Sequence, residues 1–265
     1  MFLDLGQNIN SSTDYTRRLF DDFGRLAILI ILHIIPIVNL IIYGFMGRVI
    51  KETPESNTPP KLEKYGEFWI DGLKISVVAI IYMIIPAVLI AAGAVTLFAP
   101  YMAGPYSPVV WLVPLGFGVV LMTVGIILAF AVAIIMAMAI VHLVKTGSFG
   151  KAFAVGEIVN IIGKIGWGQY VIWLIVMFIS FAIIVAIIVG AIGAVPVIGW
   201  LISIIVSPIF GVFVSRSAAL VYTDAVAPGT TSAAVATTSE KKFCMSCGAQ
   251  IPAGATFCPV CGKSQ

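Results

Sequence analysis

ISVVAIIYMIIPAVLIAAGAVTLFAPYMAGPYSPVVWLVPLGFGVVLMTVGIILAFAVAIIMAMAIVHLV, residues 75–144, runs for 70 positions without one Asp, Glu, Lys or Arg. A helix rising about 1.5 Å per residue crosses an apolar core roughly 30 Å thick in about 20 residues, so this run suffices for two crossings. Its breakpoint is APYMAGPYSP at 99–108, with three prolines, one glycine and two tyrosines. Proline and glycine end helices, and tyrosine favours the headgroup level. Two more charge-free runs flank it. Residues 26–47 suffice for one crossing, and residues 165–215 suffice for two, broken at GAIGAVPVIGW with Pro196 and Trp200. The expected fold is all-α: a polytopic bundle of about five apolar helices near 26–46, 73–98, 109–143, 169–192 and 197–221. Pro36, Pro86, Pro114 and Pro208 fall inside them as kinks that neighbouring helices can satisfy. The span at 109–143 is too long to stand upright, which predicts tilt or an interfacial first turn.

Composition agrees. Of 265 residues 60% are hydrophobic and 10% charged, the net charge is +3, and the mean hydropathy is +1.10. Soluble domains carry roughly 45–50% apolar and about 25% charged residues. A cytosolic enzyme, a disordered chain and a nucleic-acid-binding domain are all excluded.

The charges fall in four stretches, 4–25, 48–74, 145–164 and 216–263, while the connections 99–108 and 191–197 carry no Lys or Arg. Basic segments stay cytoplasmic, which places the last three stretches and the C-terminal tail in the cytosol. The N-terminal stretch conflicts: five crossings would leave Arg17, Arg18 and Arg25 outside. Either that charge loses to the other three segments, or HIIPIVN (33–39) splits the first run into two short halves that enter and return. The second reading puts the N-terminus inside. Residues 1–25 are polar and no cleavage pattern follows, so the first apolar segment is expected in the mature protein.

The chain echoes itself at an offset of 90. Gly66, Glu67, Lys74 and Ile75 match Gly156, Glu157, Lys164 and Ile165, each set directly before a long apolar run. Glu63, Glu67, Asp71 and Lys74 share one helical face, with apolar residues covering the rest, which is the pattern of an amphipathic helix lying in the interface. Two related halves, 26–98 and 109–192, followed by a closing helix, are expected. Repeats of this kind occur in transporters and in inert modules alike. The charges at Glu67, Lys74, Glu157 and Lys164 read as a solvated face that anchors the helices against headgroups. No ionisable carboxylate, lysine or arginine lies within an apolar run, which argues against a proton- or sodium-coupled transporter and an intramembrane protease. His33 and Asn39 read as packing or hydrogen-bonding residues, and His142, beside Lys145, as interfacial. No GxSxG, HExxH or P-loop occurs, so no catalytic residue is expected and the chain does not read as an enzyme.

Beyond Tyr222, residues 223–242 are mostly Ala, Thr, Ser, Pro and Gly, a flexible linker reaching roughly 25 Å. There follows FCMSCGAQIPAGATFCPVCG. Cys244 and Cys247 form one C-x2-C pair and Cys258 and Cys261 another, and they are the chain's four cysteines. Two such knuckles present four thiolates to a tetrahedral Zn2+. The competing reading, disulfides, suits neither the tight ring within C-x2-C nor a reducing compartment. The expected site is structural, since four protein ligands leave no open position, and a module with so few apolar residues folds only with its metal. The expected domains are a polar segment 1–25, a membrane domain 26–222, the linker 223–242 and a zinc ribbon 243–265.

RLAILIILHIIPIVNLIIYGFMGRVIKET at 25–53, YGEFWIDGLK at 65–74, GSFGKAFAVGEIVNIIGKIGWGQY at 147–170 and VPVIGWLISIIVSPIFGVFVSR at 195–216 resemble the prokaryotic, largely archaeal, membrane family called domain of unknown function 4013. The resemblance spans about Asp14 to Asp224 and implies a polytopic membrane domain with no established activity. The tail is similar to the short zinc ribbons that end many prokaryotic membrane proteins, most of which serve interactions or are unassigned. The leading functional expectation is a non-enzymatic protein of the cytoplasmic membrane whose cytosolic ribbon is a tethered interaction module for a protein partner. The alternative is a channel, permease or lipid-handling protein built on the duplicated unit, with a polar cavity lined by His33, Asn39 and glycine-rich faces. A membrane-anchored nucleic-acid binder is disfavoured, because only Lys241, Lys242 and Lys263 flank the ribbon.

Overall fold

The computed structural model describes residues 4–103 and 108–226 and, near the C-terminus, 241–244, 246–247, 250–252, 261 and 263–264. Two compact units result, Phe2–Ala227 and Pro228–Gln265, the latter counted with Met1. Among the described residues the larger unit is helical: α1 (Leu5–Arg17), α2 (Phe23–Ile34), α3 (Leu40–Glu52), α4 (Tyr65–Ala103), α5 (Pro108–Thr146), α6 (Val155–Ile165), α7 (Trp167–Ala194) and α8 (Pro196–Val226), with a 3-10 turn at Phe149–Phe153. Among the described residues, four stretches are long and apolar enough to cross a membrane: Tyr65–Phe98, Gly116–Thr146, Trp167–Ile192 and Val197–Val226.

The fifth helix expected at 26–46 does not form, and two short helices take its place. Pro36 disfavours helical geometry at the residue before it, and Ile35 accordingly turns extended, with φ −100° and ψ 112°. The backbone freed at the break is satisfied locally. Asn39 N–H donates to Ile35 O at 2.8 Å, the Trp69 indole N–H donates to Ile37 O at 3.2 Å, and His33 Nδ1 lies 3.2 Å from Asn39 Oδ1. These bonds supply the shielding that irregular backbone needs at membrane depth. Pro86 and Pro208, by contrast, lie within the unbroken helices α4 and α8.

Both ends of α2–α3 meet the same connection. Arg25 Nη1 near the start of α2 donates to Pro59 O at 3.1 Å, and Lys145, at the end of α5, bonds Lys51 O and Thr53 O where α3 ends. The pair turns back on itself at the 35–39 break, which leaves four helices among the described residues that could cross a membrane. The N-terminal helices, the 53–64 connection, the 147–154 turn and the end of α8 thus lie on one face. This removes the conflict in the charge count: every basic stretch of the unit is on the same side.

The repeat is visible but unequal. In the first copy the amphipathic segment is the first turns of α4 itself, with no break before the span. In the second it is a separate helix, α6, which ends at Gly166 with φ +95°. Position 76, the counterpart of 166, is Ser, which continues the helix. The apolar stripe of α6 also faces inward: Ile158, Ile161, Ile162 and Ile165 are buried in one cluster with Met138, Trp173 and Tyr222. The stripe therefore covers the bundle's own core, not lipid. A 3.6-residue periodicity is the same for either partner.

The core sits at the basic end. One cluster joins α5, α6, α7 and α8, and a second joins α1, α2 and α3 to Phe68 and Val212. Two glycines allow α3 and α4 to cross almost backbone to backbone, since a Cβ on Gly44 would lie 1.8 Å from Phe68 O and one on Gly72 1.8 Å from Leu40 O. Towards the other end the spans present Ile84, Val88, Phe130, Phe178, Ile187 and Leu201 outward, all exposed, as expected of surfaces that meet acyl chains.

Candidate metal centre and the buried polar ties

In the smaller unit, Lys241–Phe243 (β1) pairs antiparallel with Gln250–Pro252 (β2), in register Lys242 to Ile251. This hairpin places Cys244 directly after β1 and Cys247 on the following turn, and Cys261 lies on a turn of its own. The three sulfurs converge within 4.8 Å of one another, with Cys244 buried and the other two exposed. Cys244 Sγ and Cys261 Sγ are 3.6 Å apart. That is well beyond the ~2.05 Å of a disulfide. It is close to the ~3.8 Å edge of a sulfur tetrahedron around a metal with bonds of about 2.3 Å. The donor set fits a thiolate-bound metal, for which Cys244, Cys247 and Cys261 are in place. The fourth expected ligand, Cys258, lies outside the described residues, as does most of the expected linker, 227–240; residues 223–226 belong to α8.

The larger unit carries polar ties that sequence reading missed or misplaced. Arg216 of α8 is only 3% exposed. Its Nη1 donates to Thr53 Oγ1 at 3.1 Å and Ser56 O at 2.7 Å, its Nη2 donates to Asn57 Oδ1 at 3.2 Å, and its guanidinium lies 4.6 Å from the centre of the Tyr15 ring. Beside it, Trp173 Nε1 donates to Ser217 Oγ at 2.8 Å. Ser217 Oγ donates to Asn8 Oδ1 at 2.5 Å, and Asn8 Nδ2 donates to Ser217 O at 3.2 Å. These bonds seat α1 on α8. The region 1–25 reads as merely polar, yet Asn8, Ser12, Tyr15 and Thr16 form a buried face. Their spacing of three to four residues was the available signal.

The repeat glutamates are docking points. Glu67 meets Arg48 of α3 at 3.0 Å and Lys64 at 2.9 Å, and Glu157 meets His142 of α5 at 3.2 Å and Lys151 at 2.5 Å. Each ties its amphipathic segment to the helix before it. Lys74 pairs instead with Asp71 at 2.9 Å. His142 is buried, not interfacial, and its Nδ1 lies 2.8 Å from the Tyr222 hydroxyl. Hydrogen bonds from Lys151 first, then His142, hold the Glu157 carboxyl below its usual range. His33 and Asn39 are engaged with each other at the α2–α3 break, and Gly93 and Gly118 meet across the α4–α5 contact.

Comparison with known proteins agrees with this division. A zinc-ribbon domain matches residues 243–265. No curated protein and no solved structure matches the chain. The family model described as protein of unknown function (DUF4013) matches residues 28–195, from α2 to the end of α7. Covering more than half of the chain, that match makes the protein a member of the DUF4013 family.

Proposed function

We propose that this is a non-enzymatic protein of the cytoplasmic membrane whose zinc ribbon acts in the cytosol as a tethered interaction module for a protein partner. The observation that carries the reading is the convergence of Cys244, Cys247 and Cys261 within 4.8 Å. With Cys258 they make a four-thiolate set, which suits Zn2+ and leaves no coordination position for a reacting water. The metal is thus structural and holds the ribbon's surface in shape. The cytosolic assignment rests on the gathering of Arg25, Arg48, Lys145 and Arg216 at one face, because Lys and Arg beside spans stay inside.

The test compares full-length protein, a chain truncated after Val226 and a full-length chain with all four cysteines changed to Ser. Each is purified from its native membrane, with bound metal and co-purifying proteins measured. The reading expects one zinc per full-length chain and a partner lost from both variants. Recovery of the same partners with either variant refutes the interaction role. Labelling of the tail by an impermeant reagent added outside intact cells refutes the cytosolic placement.

A further inference from the structure

The seat of α1 holds hydrogen-bond donors that no protein atom accepts. Among the described residues four buried side-chain atoms have no partner: Ser12 Oγ, Tyr15 Oη, Arg25 Nε and Arg216 Nε. They come from α1, the start of α2 and α8, and the contacts around them bring these elements together. The Arg216 guanidinium stands 4.6 Å from the centre of the Tyr15 ring, which makes neighbours of the hydroxyl at the ring's end and Nε at the guanidinium's root. Arg25 Nη1 donates to Pro59 O at 3.1 Å and Arg216 Nη1 to Ser56 O at 2.7 Å, both on one short connection. The Tyr15 hydroxyl feels both guanidinium charges. Ser12 stands one turn before Tyr15 on the buried face of α1.

An arginine Nε only donates, so Arg25 and Arg216 each call for an acceptor at that atom. Burial pushes the Tyr15 hydroxyl up to about 12, so it keeps its proton and can donate to the same acceptor. Charge decides between water and an anion. Lys145 grips the connection from α5, through Lys51 O and Thr53 O. Among the described residues none of Arg25, Lys145 and Arg216 forms an ion pair, and the acceptors they reach are all neutral. Glu52 and Glu55 act on this cluster only across space. Water would satisfy the donors and leave the cations uncompensated, whereas buried charge is stable when a counter-charge accompanies it. Size then decides among anions. Tyr15 and Arg216 are each 3% exposed and the four donor atoms are sealed from solvent, which suits a free halide and excludes a phosphate or carboxylate carried on a larger molecule. We propose that one chloride-sized anion binds beneath α1, accepting from Tyr15 Oη, Arg216 Nε and Arg25 Nε, and locks α1 and α2 onto α8.

The test uses the full chain in mild detergent, with thermal unfolding followed by circular dichroism in sodium chloride, bromide or gluconate at one ionic strength. Chloride and bromide are expected to raise the wild-type midpoint saturably over gluconate, by roughly 3–6 °C at about ten times the Kd. Tyr15→Phe keeps the ring on Arg216 and removes the hydroxyl. It should match wild type in gluconate and lose most of the halide shift. Tyr43→Phe, exposed on α3, should keep the whole shift. Equal wild-type midpoints in chloride and gluconate overturn the proposal and leave water on the donors. An undiminished shift in Tyr15→Phe overturns it too, since the halide then acts elsewhere. A lower gluconate midpoint in that variant gives the hydroxyl a structural role and counts against the site. Crystals of wild-type protein grown in bromide give an independent reading should Tyr15→Phe fail to fold. An anomalous peak touching both Arg216 Nε and Tyr15 Oη supports the site, and bromide found only elsewhere refutes it.

Discussion

Replacing Arg216 by Met tests whether a buried cation without a carboxylate in contact stabilises this fold. The side chain makes three hydrogen bonds to neutral acceptors and a ring contact with Tyr15. Hydrogen bonds from a charged donor contribute about 1.5–3 kcal/mol each, and a desolvated cation–π contact about 2 kcal/mol. Against this stands the cost of burying the guanidinium, several kcal/mol after relaxation. Met keeps most of the volume, and the severed acceptors are lightly penalised. Asn57 is exposed and Ser56 half-buried, so both recover water, while Thr53 Oγ1 keeps its 2.7 Å bond to Val49 O. The expected net loss is ~2–3 kcal/mol, read from SDS-driven unfolding in mixed micelles by circular dichroism, with faster proteolysis of the 53–60 connection. Burial pushes the Tyr15 hydroxyl up to about 12, so Tyr15 meets Arg216 as a neutral ring. A double-mutant cycle with Tyr15→Leu should return a coupling of about 1–2 kcal/mol. If Arg216→Met is as stable as wild type and the connection is no more labile, the guanidinium is not what holds α8 to α1 and the 53–57 turn.

The Glu157 tie gives a pH dependence of fixed sign. Its carboxyl titrates lower in the folded protein than its ordinary 4.5, so its contribution is complete above about that pH and is lost as pH falls through the folded value. Protection of the α6 amides in hydrogen exchange, corrected for the intrinsic rate, should fall from pH 6 to pH 3 in wild type, and less in Glu157→Gln; identical profiles would exclude the tie. Strong chelation should make all four cysteines reactive to a thiol reagent while leaving the unfolding of Phe2–Ala227 unchanged, since that unit is separately compact. A membrane unit that destabilises in step with metal loss contradicts this. Gly166→Ala should cost about 1–3 kcal/mol, because φ +95° is strained for any residue with a Cβ. Normal stability in that variant would mean α6 and α7 join without the left-handed turn.

Charge-free length made the four spans legible, and cysteine spacing made the ribbon legible, because both signals are local. The α2–α3 break was readable as an alternative from Pro36. Choosing it required knowing that Trp69, more than thirty residues away, caps the exposed carbonyl of Ile37. Burial of His142 and Arg216 was not readable at all. Each stands at the end of an apolar run, where chain position allows snorkelling to the interface as readily as burial. What decides is the presence of α1, α6 and the 53–57 turn packed above them. The polar face of α1 escaped notice because Asn8, Ser12 and Thr16 bury hydrogen-bonding groups where a periodicity search looks for apolar ones.

The unequal repeat follows from two local exchanges. Both copies hold a Gly-Glu pair whose carboxylate must reach a cation on the preceding helix. In the first copy α3 is short and ends on the 53–64 connection, and Arg48 reaches Glu67 directly, so the segment 65–75 can run straight into its span. In the second copy the position that corresponds to Arg48 is Met138, which is buried in the core, and the partner moves one turn along α5 to His142. An imidazole is shorter than a guanidinium arm, so α6 must lie close against α5 for Glu157 to meet it. A helix that close cannot also be collinear with α7, and Gly166 supplies the turn between them where Ser76 has none to make. Restoring collinearity by Gly166→Ala should therefore break the His142–Glu157 contact before it unfolds α6. In hydrogen exchange that order appears as loss of the pH response of α6 with its helix retained; loss of the helix with the pH response intact would show that the turn and the tie are independent.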